Sequence, residues 1–314
     1  MSLFTSRPAN RKGQKRIRMA EDREVLREIW EARLPVSFQL AQDEVVTLNV
    51  PEPFYLMVPR LLYFPLVTDK VRKHFIQYVS PEASGREIWL SDGNGQPIKW
   101  NYPIGLWFDL FAEGALPWTV TVHFDGYPED KIMRCSCKET VRSQFMSYLK
   151  EADALKHKGQ VMNCMQEKDH NQLWQGFQND KFDQFWSVNK KLMESVVGEG
   201  FRHIPIKCYT PEKLAIQRIV KPIDDTTGTW TTLHDALLEF FPTIDFSTVR
   251  VIIHGVEPPL GTPVQWLSEH MSYPDNFLHL SILPSAPRFS YFSTPSLSSP
   301  STESGSRVSP NSSS

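Results

Sequence analysis

The chain has 314 residues, of which 40% are apolar and 12% aromatic, and its formal net charge is −2. This size and composition are typical of a packed protein with two or three domains. The near-neutral charge gives no electrostatic basis for nucleic-acid binding, and no apolar run reaches the roughly 20 residues of a transmembrane helix. We therefore expect no nucleic-acid partner and no membrane-spanning segment.

The two ends of the chain are predicted to be disordered. Residues 1–18 hold six Lys or Arg residues and no acidic residue, and we interpret them as a basic extension. A first helix is predicted over residues 19–31, beginning at Met19. From residue 286 onward the chain is rich in Ser and Pro, and it has too few apolar residues to offset the entropy lost on ordering.

Residues 32–124 predict a first domain of strands and helices. Strands are expected at Val36–Leu40, at "EVVTL" (44–48) and at "TVTVHF" (119–124), where apolar residues alternate. "REIWL" and "PIKW" flank an Asp-Gly-Asn-Gly sequence, which is a strong hairpin signal. Helices are expected near "LVTDKVRKHFI" and at the proline-initiated "PIGLWFDLF". This order indicates a β-grasp, the fold of ubiquitin.

Residues 125–200 predict a linker and a helix-rich domain. Ser136 and Glu139 form a capping-box pattern ahead of its first helix. The apolar residues of that helix form one stripe beginning at Val141, and Lys150 falls about 180° from it on a helical wheel. Lys156 falls at the edge of the stripe. Lys158 is predicted to be exposed, like Lys150.

Residues 201–285 repeat the first fold without repeating its sequence. The predicted order is strand, strand, helix, strand, short helix, strand, which is that of a second β-grasp. Thr232 and Asp235 form a capping box at the first helix, and Pro242 ends it. The fold class is therefore α+β, with two ubiquitin-like domains flanking a helix-rich domain.

Known catalytic motifs are missing from the chain. It has no phosphate-binding P-loop, no G-x-S-x-G elbow and no H-E-x-x-H sequence. The pair Cys135 and Cys137 has no second pair to complete a zinc site, so we interpret these residues, with Cys164 and Cys208, as reduced thiols. We expect no catalytic residue, cofactor or metal. A thiol enzyme remains an alternative, because a cysteine and a distant histidine can meet in space.

Four longer strings resemble the autophagy protein 5 family. They are "YPIGLWFDL" (102–110), "FMSYLKEADALKHK" (145–158), "NDKFDQFWSVNKKLM" (179–193) and "WLSEHMSYPDNFLH" (266–279). The resemblance extends from about Met19 to Pro284. It implies a ubiquitin-like domain, a helix-rich domain and a second ubiquitin-like domain, as the residue patterns also predict.

The resemblance implies a function in covalent conjugation. In that family, one lysine of the helix-rich domain accepts the C-terminal glycine of the ubiquitin-like autophagy protein 12 in an isopeptide bond, and activating and conjugating enzymes deliver the modifier. The matching string assigns this role to Lys150, which exposure alone does not distinguish from Lys158. An ordinary lysine amine is neutral only to about one part in a thousand at neutral pH. We therefore expect Lys150 to be an acceptor and not a catalyst.

The resemblance also implies non-covalent partners. The N-terminal helix of autophagy protein 16 is expected in a groove built by all three domains, with Trp266 and the aromatic residues at 182–186 as candidate walls. The assembly acts like a ligase that promotes attachment of ubiquitin-like proteins to phosphatidylethanolamine. The expected location is the cytoplasm and, peripherally, preautophagosomal membranes. The alternative is an adaptor with ubiquitin-like folds that binds partner helices and is never conjugated.

Overall fold

A computed structural model describes residues 23–112, 114–194, 200–212 and 215–285. The predicted extension 1–18, the first residues of the predicted N-terminal helix and the tail 286–314 lie outside the described residues. Helix α1, residues 23–31, follows the prediction over the part that is described.

The first domain is a four-stranded sheet with helices packed on one face. Its strands have the spatial order β2-β1-β4-β3, with β1 and β4 parallel at the centre and the outer strands antiparallel to them. Val36 and Phe38 of β1 and Val120 and Val122 of β4 are buried at the core face. The bounds are β1 Arg33–Leu40, β2 Phe54–Pro59, α2 Asp69–Phe75, α3 Pro81–Ser84, β3 Trp89–Ser91, α4 Ile104–Phe111 and β4 Trp118–His123.

The predicted strand at 44–48 is wrong. Glu44 ends a short 3-10 helix, and its carboxylate accepts the main-chain N–H of Phe124 at 2.6 Å. Val46 and Leu48 of the predicted strand are exposed to solvent. The true second strand, β2, lies between Pro53 and Pro59, and its outward side chains are apolar, so it has no alternation for the pattern to detect. The predicted hairpin is present but short: Pro97 forms an antiparallel bridge to Ser91, and the N–H of Ile98 donates to the carbonyl of Leu90 at 2.8 Å.

The helix-rich region is held together by stacked aromatic rings. Phe145 lies parallel to Phe177 with ring centroids 4.3 Å apart, and Trp174 packs beside both. The predicted capping box before the first helix is wrong: the cap is Cys137, and no side chain bonds to the exposed N–H groups there. The bounds are α5 Lys138–His157, α6 Gln160–Cys164, α7 Glu167–Gln178 and α8 Phe182–Met193.

The second domain has the predicted order of elements and the same topology as the first. Its strand order is β6-β5-β8-β7, with parallel β5 and β8 at the centre. The capping box at α9 is confirmed, because Thr232 and Asp235 exchange side-chain and main-chain hydrogen bonds. The bounds are β5 Ile204–Tyr209, β6 Ile216–Val220, α9 Leu233–Phe240, β7 Val249–Ile252, α10 Val264–His270 and β8 Leu278–Pro284.

A buried ion pair of the first ubiquitin-like domain lies against the second. Arg60 donates to Asp109 at 2.5 Å, and both side chains are almost inaccessible. The guanidinium also lies against Gly255 of the second domain, where an added Cβ would be 3.2 Å from Arg60 Nη2. Nearby, the rings of Tyr102 and Tyr209 meet edge to face. The two domains therefore share buried contacts.

Candidate functional site

Helix α5 presents a buried face and an exposed face. Val141, Phe145, Leu149 and Ala152 are fully buried, while Lys150 is exposed. The face that packs inward follows from the 3.6-residue period, as the sequence predicted. Lys150 thus extends into solvent from a helix whose opposite side is core.

Lys156, on the same helix, is placed differently from its predicted edge position. It is only 2% exposed, and its Nζ lies 3.7 Å from Met193 Sδ and 4.6 Å from the centroid of the Phe201 ring. Burial lowers the pKa of Lys156 to about 7, because the charged form loses its hydration. This lysine is out of reach of a macromolecular partner.

Lys158, the other exposed candidate, lies just past the end of the helix. It adopts a left-handed conformation with φ of 58°, and Gly159 follows with φ of 76°. Asp153 fixes this corner: its carboxylate accepts the N–H of Met162 at 2.8 Å and its carbonyl accepts the N–H of Gly159 at 3.1 Å. The sequence pattern missed this role of Asp153, because the turn brings its partners from beyond the helix.

The exposed face of α5 is anchored beside the second domain. Gln217 of β6 donates to Glu151, the neighbour of Lys150, at 2.6 Å. Lys207 of β5 places its ammonium 3.6 Å from the Tyr148 ring centroid and 3.9 Å from that of Phe277. Burial lowers the pKa of Lys207. Contacts on both sides of Lys150 therefore hold its helix in place while leaving its own side chain exposed.

Two buried clusters resemble acid–histidine–hydroxyl arrangements. Ser91 Oγ lies 2.9 Å from His123 Nε2, and Glu44 lies 3.6 Å from the other ring nitrogen. In the second domain, His279 links Asp275 to the hydroxyl of Tyr209. Both hydroxyl-bearing residues are buried, at 3% and 1% exposure, so neither is placed to meet a substrate. These clusters satisfy polar groups within the sheets.

The cysteines do not form a metal site. Within the described ranges, no group of three or more His, Cys, Asp or Glu side chains is arranged to hold a metal ion. Burial raises the pKa of Cys135 and of Cys208 to about 12, which disfavours the reactive thiolate. Cys137 is exposed, and its hydrogen bond with Thr140 lowers its pKa.

A groove of about 430 Å³ lies between α1, α8 and α10. Leu26, Trp186 and Met193 supply apolar surface to it. Its charged rim includes Arg23, which donates to Asp183 at 2.7 Å, and also Lys190, Glu194 and Glu269. An apolar floor with a charged rim suits an amphipathic helix.

A smaller depression of about 30 Å³ continues the groove toward the first domain. It is lined by residues of the first domain, the helical region and the second domain, including Leu61, Phe185 and Tyr273. Of the candidate walls, Trp186 lines the groove and Phe182 the depression. Trp266 instead stacks on His270, with centroids 4.5 Å apart.

Three family models match the chain. They are described as Autophagy protein ATG5 UblA domain, over residues 29–124, alpha-helical bundle region, over 138–195, and UblB domain, over 203–282. The architecture and these matches define an autophagy protein with ubiquitin-like domains.

Similar proteins agree with the family models. Autophagy protein 5 of Drosophila melanogaster is 48% identical over 268 residues, covering 84% of this chain and 98% of the relative. Autophagy-related protein 5 of Caenorhabditis elegans is 31% identical over 275 residues, covering 83% and 98%. The chain belongs to the autophagy protein 5 family.

A solved structure has the same fold. The crystal structure of Kluyveromyces marxianus Atg5 superposes with a TM-score of 0.71 at 19% identity, covering 82% of this chain and 99% of that one. Two ubiquitin-like domains around a helical bundle are therefore the architecture of this protein, as the sequence predicted. Within the part of the chain that the structure describes, no helix has the length and apolarity needed to cross a bilayer.

Proposed function

We propose that this protein is a conjugation acceptor whose Lys150 forms an isopeptide bond with the C-terminal glycine of the ubiquitin-like autophagy protein 12. The observation that carries the proposal is that Lys150 is exposed within the string that matches the family, on a helix anchored on its other sides. Lys156, in the same string, is buried and is not available to the modifier.

The reaction is an acyl transfer from the thioester of a conjugating enzyme. The neutral Lys150 amine attacks the thioester carbonyl, the new C–N bond forms, and the C–S bond breaks with departure of the enzyme's thiolate. The Lys150 ammonium must first lose a proton. The neighbouring carboxylate, Glu151, accepts a hydrogen bond from Gln217 at 2.6 Å. The conjugating enzyme then supplies the base, and this protein supplies the oriented amine.

Replacement of Lys150 tests the proposal. Lys150→Arg keeps charge and helix propensity but removes the primary amine, so we expect cells carrying it to lack the conjugate band on an immunoblot. Lys158→Arg, at the other exposed lysine, is the matched control and should leave the band unchanged. Persistence of the band in Lys150→Arg would contradict the assignment. If the conjugate band were absent from wild-type cells as well, the unconjugated adaptor would be favoured.

The groove between α1, α8 and α10 is proposed to bind the N-terminal helix of the coiled-coil autophagy protein 16. The support is its composition and its position, where all three domains meet. The assembly promotes attachment of ubiquitin-like proteins to phosphatidylethanolamine. It works in the cytoplasm and at preautophagosomal membranes, which it contacts peripherally.

A substitution that places a charged residue in the groove tests this binding separately from conjugation. Leu26→Asp buries a carboxylate in the apolar contact, so we expect binding of the autophagy protein 16 helix, measured by calorimetry, to weaken by at least about tenfold. Leu238→Asp, at a partly exposed leucine on α9, is the control and should bind normally. Conjugation at Lys150 should persist in both. Equal affinities of the two variants would place the helix elsewhere.

A further inference from the structure

Strand β2 lies at an open edge of the first sheet. Its one strand neighbour is β1, to which it pairs from Phe54 to Pro59. Among the described residues, no hydrogen bond outside that ladder involves the main chain of residues 54–57. The N–H and C=O groups that point away from β1 are therefore free to pair with another strand.

The side chains of β2 also lack neighbours on the open side. Tyr55 and Met57 are 65% and 57% exposed on the outer face of the sheet. The β1 residues opposite them are Ser37 and Pro35, which cover little of either side chain. Natural edge strands are usually protected by charges, prolines, bulges or a covering segment. Residues 53–59 carry no charge, and the two prolines, Pro53 and Pro59, lie at the ends and leave residues 54–57 between them open.

The other face of β2 lies beside helix α2. Phe54 and Leu56 are only partly buried there, and the His74 ring lies 5.1 Å from that of Phe54. Lys70 lies one helical turn before His74 on the same face of α2, and Lys73 is exposed next to it. This face therefore offers apolar surface with lysines at its rim.

The charges on α2 leave these two lysines available. Asp69 pairs with Lys138 at 2.7 Å, and Arg72 donates to the main-chain carbonyls of Ser84 and Arg86. Neither Lys70 nor Lys73 has an ion pair among the described residues. Glu52 is the nearby acid at the start of β2. The rim is consequently basic along the helix.

We propose that β2 receives an extended peptide as a fifth strand of the first sheet. The peptide alternates apolar and polar residues: its apolar side chains lie on one face and contact Tyr55 and Met57, its other side chains lie on the face beside α2, and its acidic flanks pair with Lys70 and Lys73. Such strand addition takes affinity from main-chain hydrogen bonds and specificity from alternate side chains. The site is separate from Lys150 and from the helix groove.

The structure disfavours two other occupants. In a lipid bilayer the open N–H and C=O groups would have no partner, which costs several kcal/mol per group. A second copy pairing through its own β2 would bring its Lys70 and Lys73 to the same side of the junction, so that four positive charges would meet. An acidic extended peptide satisfies both the main chain and the lysines.

A designed probe tests the proposal on the full chain. The probe is a fluorescein-labelled decapeptide, Asp-Asp-Ile-Thr-Val-Thr-Ile-Thr-Asp-Asp, and binding is followed by fluorescence anisotropy. Lys70→Glu combined with Lys73→Glu should weaken binding by about tenfold or more. The control pair Lys131→Glu and Lys158→Glu makes the same charge change elsewhere and should leave binding unchanged. A probe that fails to bind, or equal effects of the two pairs, would overturn the proposal.

Two N-methylated probes distinguish strand addition from side-chain docking. Methylation of the Ile and Val amides removes the donors on one edge of the peptide, and methylation of the Thr amides removes those on the other. Only one edge can face β2, so one probe should lose binding and the other keep it. Equal effects of the two methylations would rule out main-chain pairing.

A last variant tests the alternative occupants. Tyr55→Thr combined with Met57→Thr keeps β propensity while removing the apolar surface, and it should weaken probe binding several-fold. If the wild-type chain sedimented as a dimer and this variant as a monomer, a second copy would be the occupant. Loss of binding to phosphatidylcholine–phosphatidylethanolamine vesicles in this variant alone would assign the patch to lipid. Either result would contradict the proposal.

Discussion

Lys150, Lys156 and Lys158 belong to one stretch of chain, yet their side chains lie in different environments. Lys150 and Lys158 are exposed, whereas Lys156 is enclosed by Met193 and Phe201. A modifier delivered by another protein can approach only an exposed amine. The exposed lysines of that string are therefore Lys150 and Lys158, and Lys150 is the one we propose as the acceptor.

Lys156 makes stability depend on pH in a predictable direction. Its pKa is about 7 in the folded protein against a model-compound value of 10.5. Between these two values the unfolded chain binds more protons than the folded one, so stability rises as pH increases from about 7 to about 10. The slope is at most about 1.4 kcal/mol per pH unit.

Replacement of Lys156 by methionine should remove this pH dependence. Lys156→Met keeps roughly the length of the side chain but removes its charge. We therefore expect this variant to unfold at a higher urea concentration than wild type at pH 7, and the difference between their urea midpoints to be smaller at pH 9. Lys158→Met, at an exposed site, should follow wild type at both values. Parallel pH profiles for Lys156→Met and wild type would show that Lys156 is not buried as described.

For single residues, the sequence predicted which lysine side chain is exposed, but it did not predict which one is buried. The helical period placed Lys150 opposite the core, and it is exposed. The same period put Lys156 at the edge of the stripe, where a neighbouring domain then covers it through Phe201. A helical wheel describes one helix and contains no information on what packs against its margins.

At the scale of elements, α7 and α8 cross very closely at Gly176. A Cβ at this position would lie 2.5 Å from the main-chain nitrogen of Phe185. The crossing brings Phe177 and Phe185 together beneath α5, so the packing of the helix that presents Lys150 depends on it.

The crossing gives a sharp mutational contrast. Gly176→Ala forces the helices apart, and we expect a loss of about 1–3 kcal/mol in the free energy of unfolding, measured with urea. Gly85→Ala is the control, because an added Cβ there meets nothing within 4 Å. Its effect should stay within about 0.5 kcal/mol. If the two variants were equally stable, the close crossing would be wrong.

The elements were predictable where packing imposes a simple period. Strand β4 was predicted from its alternation, because one of its faces packs on the core. Helix α9 was predicted from its capping box, because one pair of polar side chains closes the start of the helix. Strand β2 was missed because both of its faces carry apolar residues and prolines bound it. The capping box predicted at Ser136 was wrong because the helix begins at Lys138, one residue later than that pattern requires.

At the scale of the whole molecule, Arg60 connects the ubiquitin-like domains. Its guanidinium forms an ion pair with Asp109 of the first domain and lies close to Gly255 of the second. The residues are far apart in sequence, and an arginine, an aspartate and a glycine have no local signature. The sequence therefore predicted two domains of the same fold but not how they contact each other.

Removing the carboxylate should weaken that contact strongly. Asp109→Ala leaves Arg60 charged and buried without its partner, and we expect a loss of about 3–5 kcal/mol in the free energy of unfolding. Asp125→Ala breaks the exposed pair with Arg86 and should cost less than about 1 kcal/mol. Urea unfolding followed by tryptophan fluorescence compares them. Similar costs for the two would mean that the Arg60–Asp109 pair is not desolvated.

The proposed role of Lys150 as the residue that receives the modifier can be tested by mass spectrometry of the endogenous conjugate digested with trypsin. We expect a branched peptide in which the C-terminal glycine of the modifier is joined to Lys150 Nζ. A branch at Lys158 or another lysine, with Lys150 unmodified in the same conjugate, would contradict it.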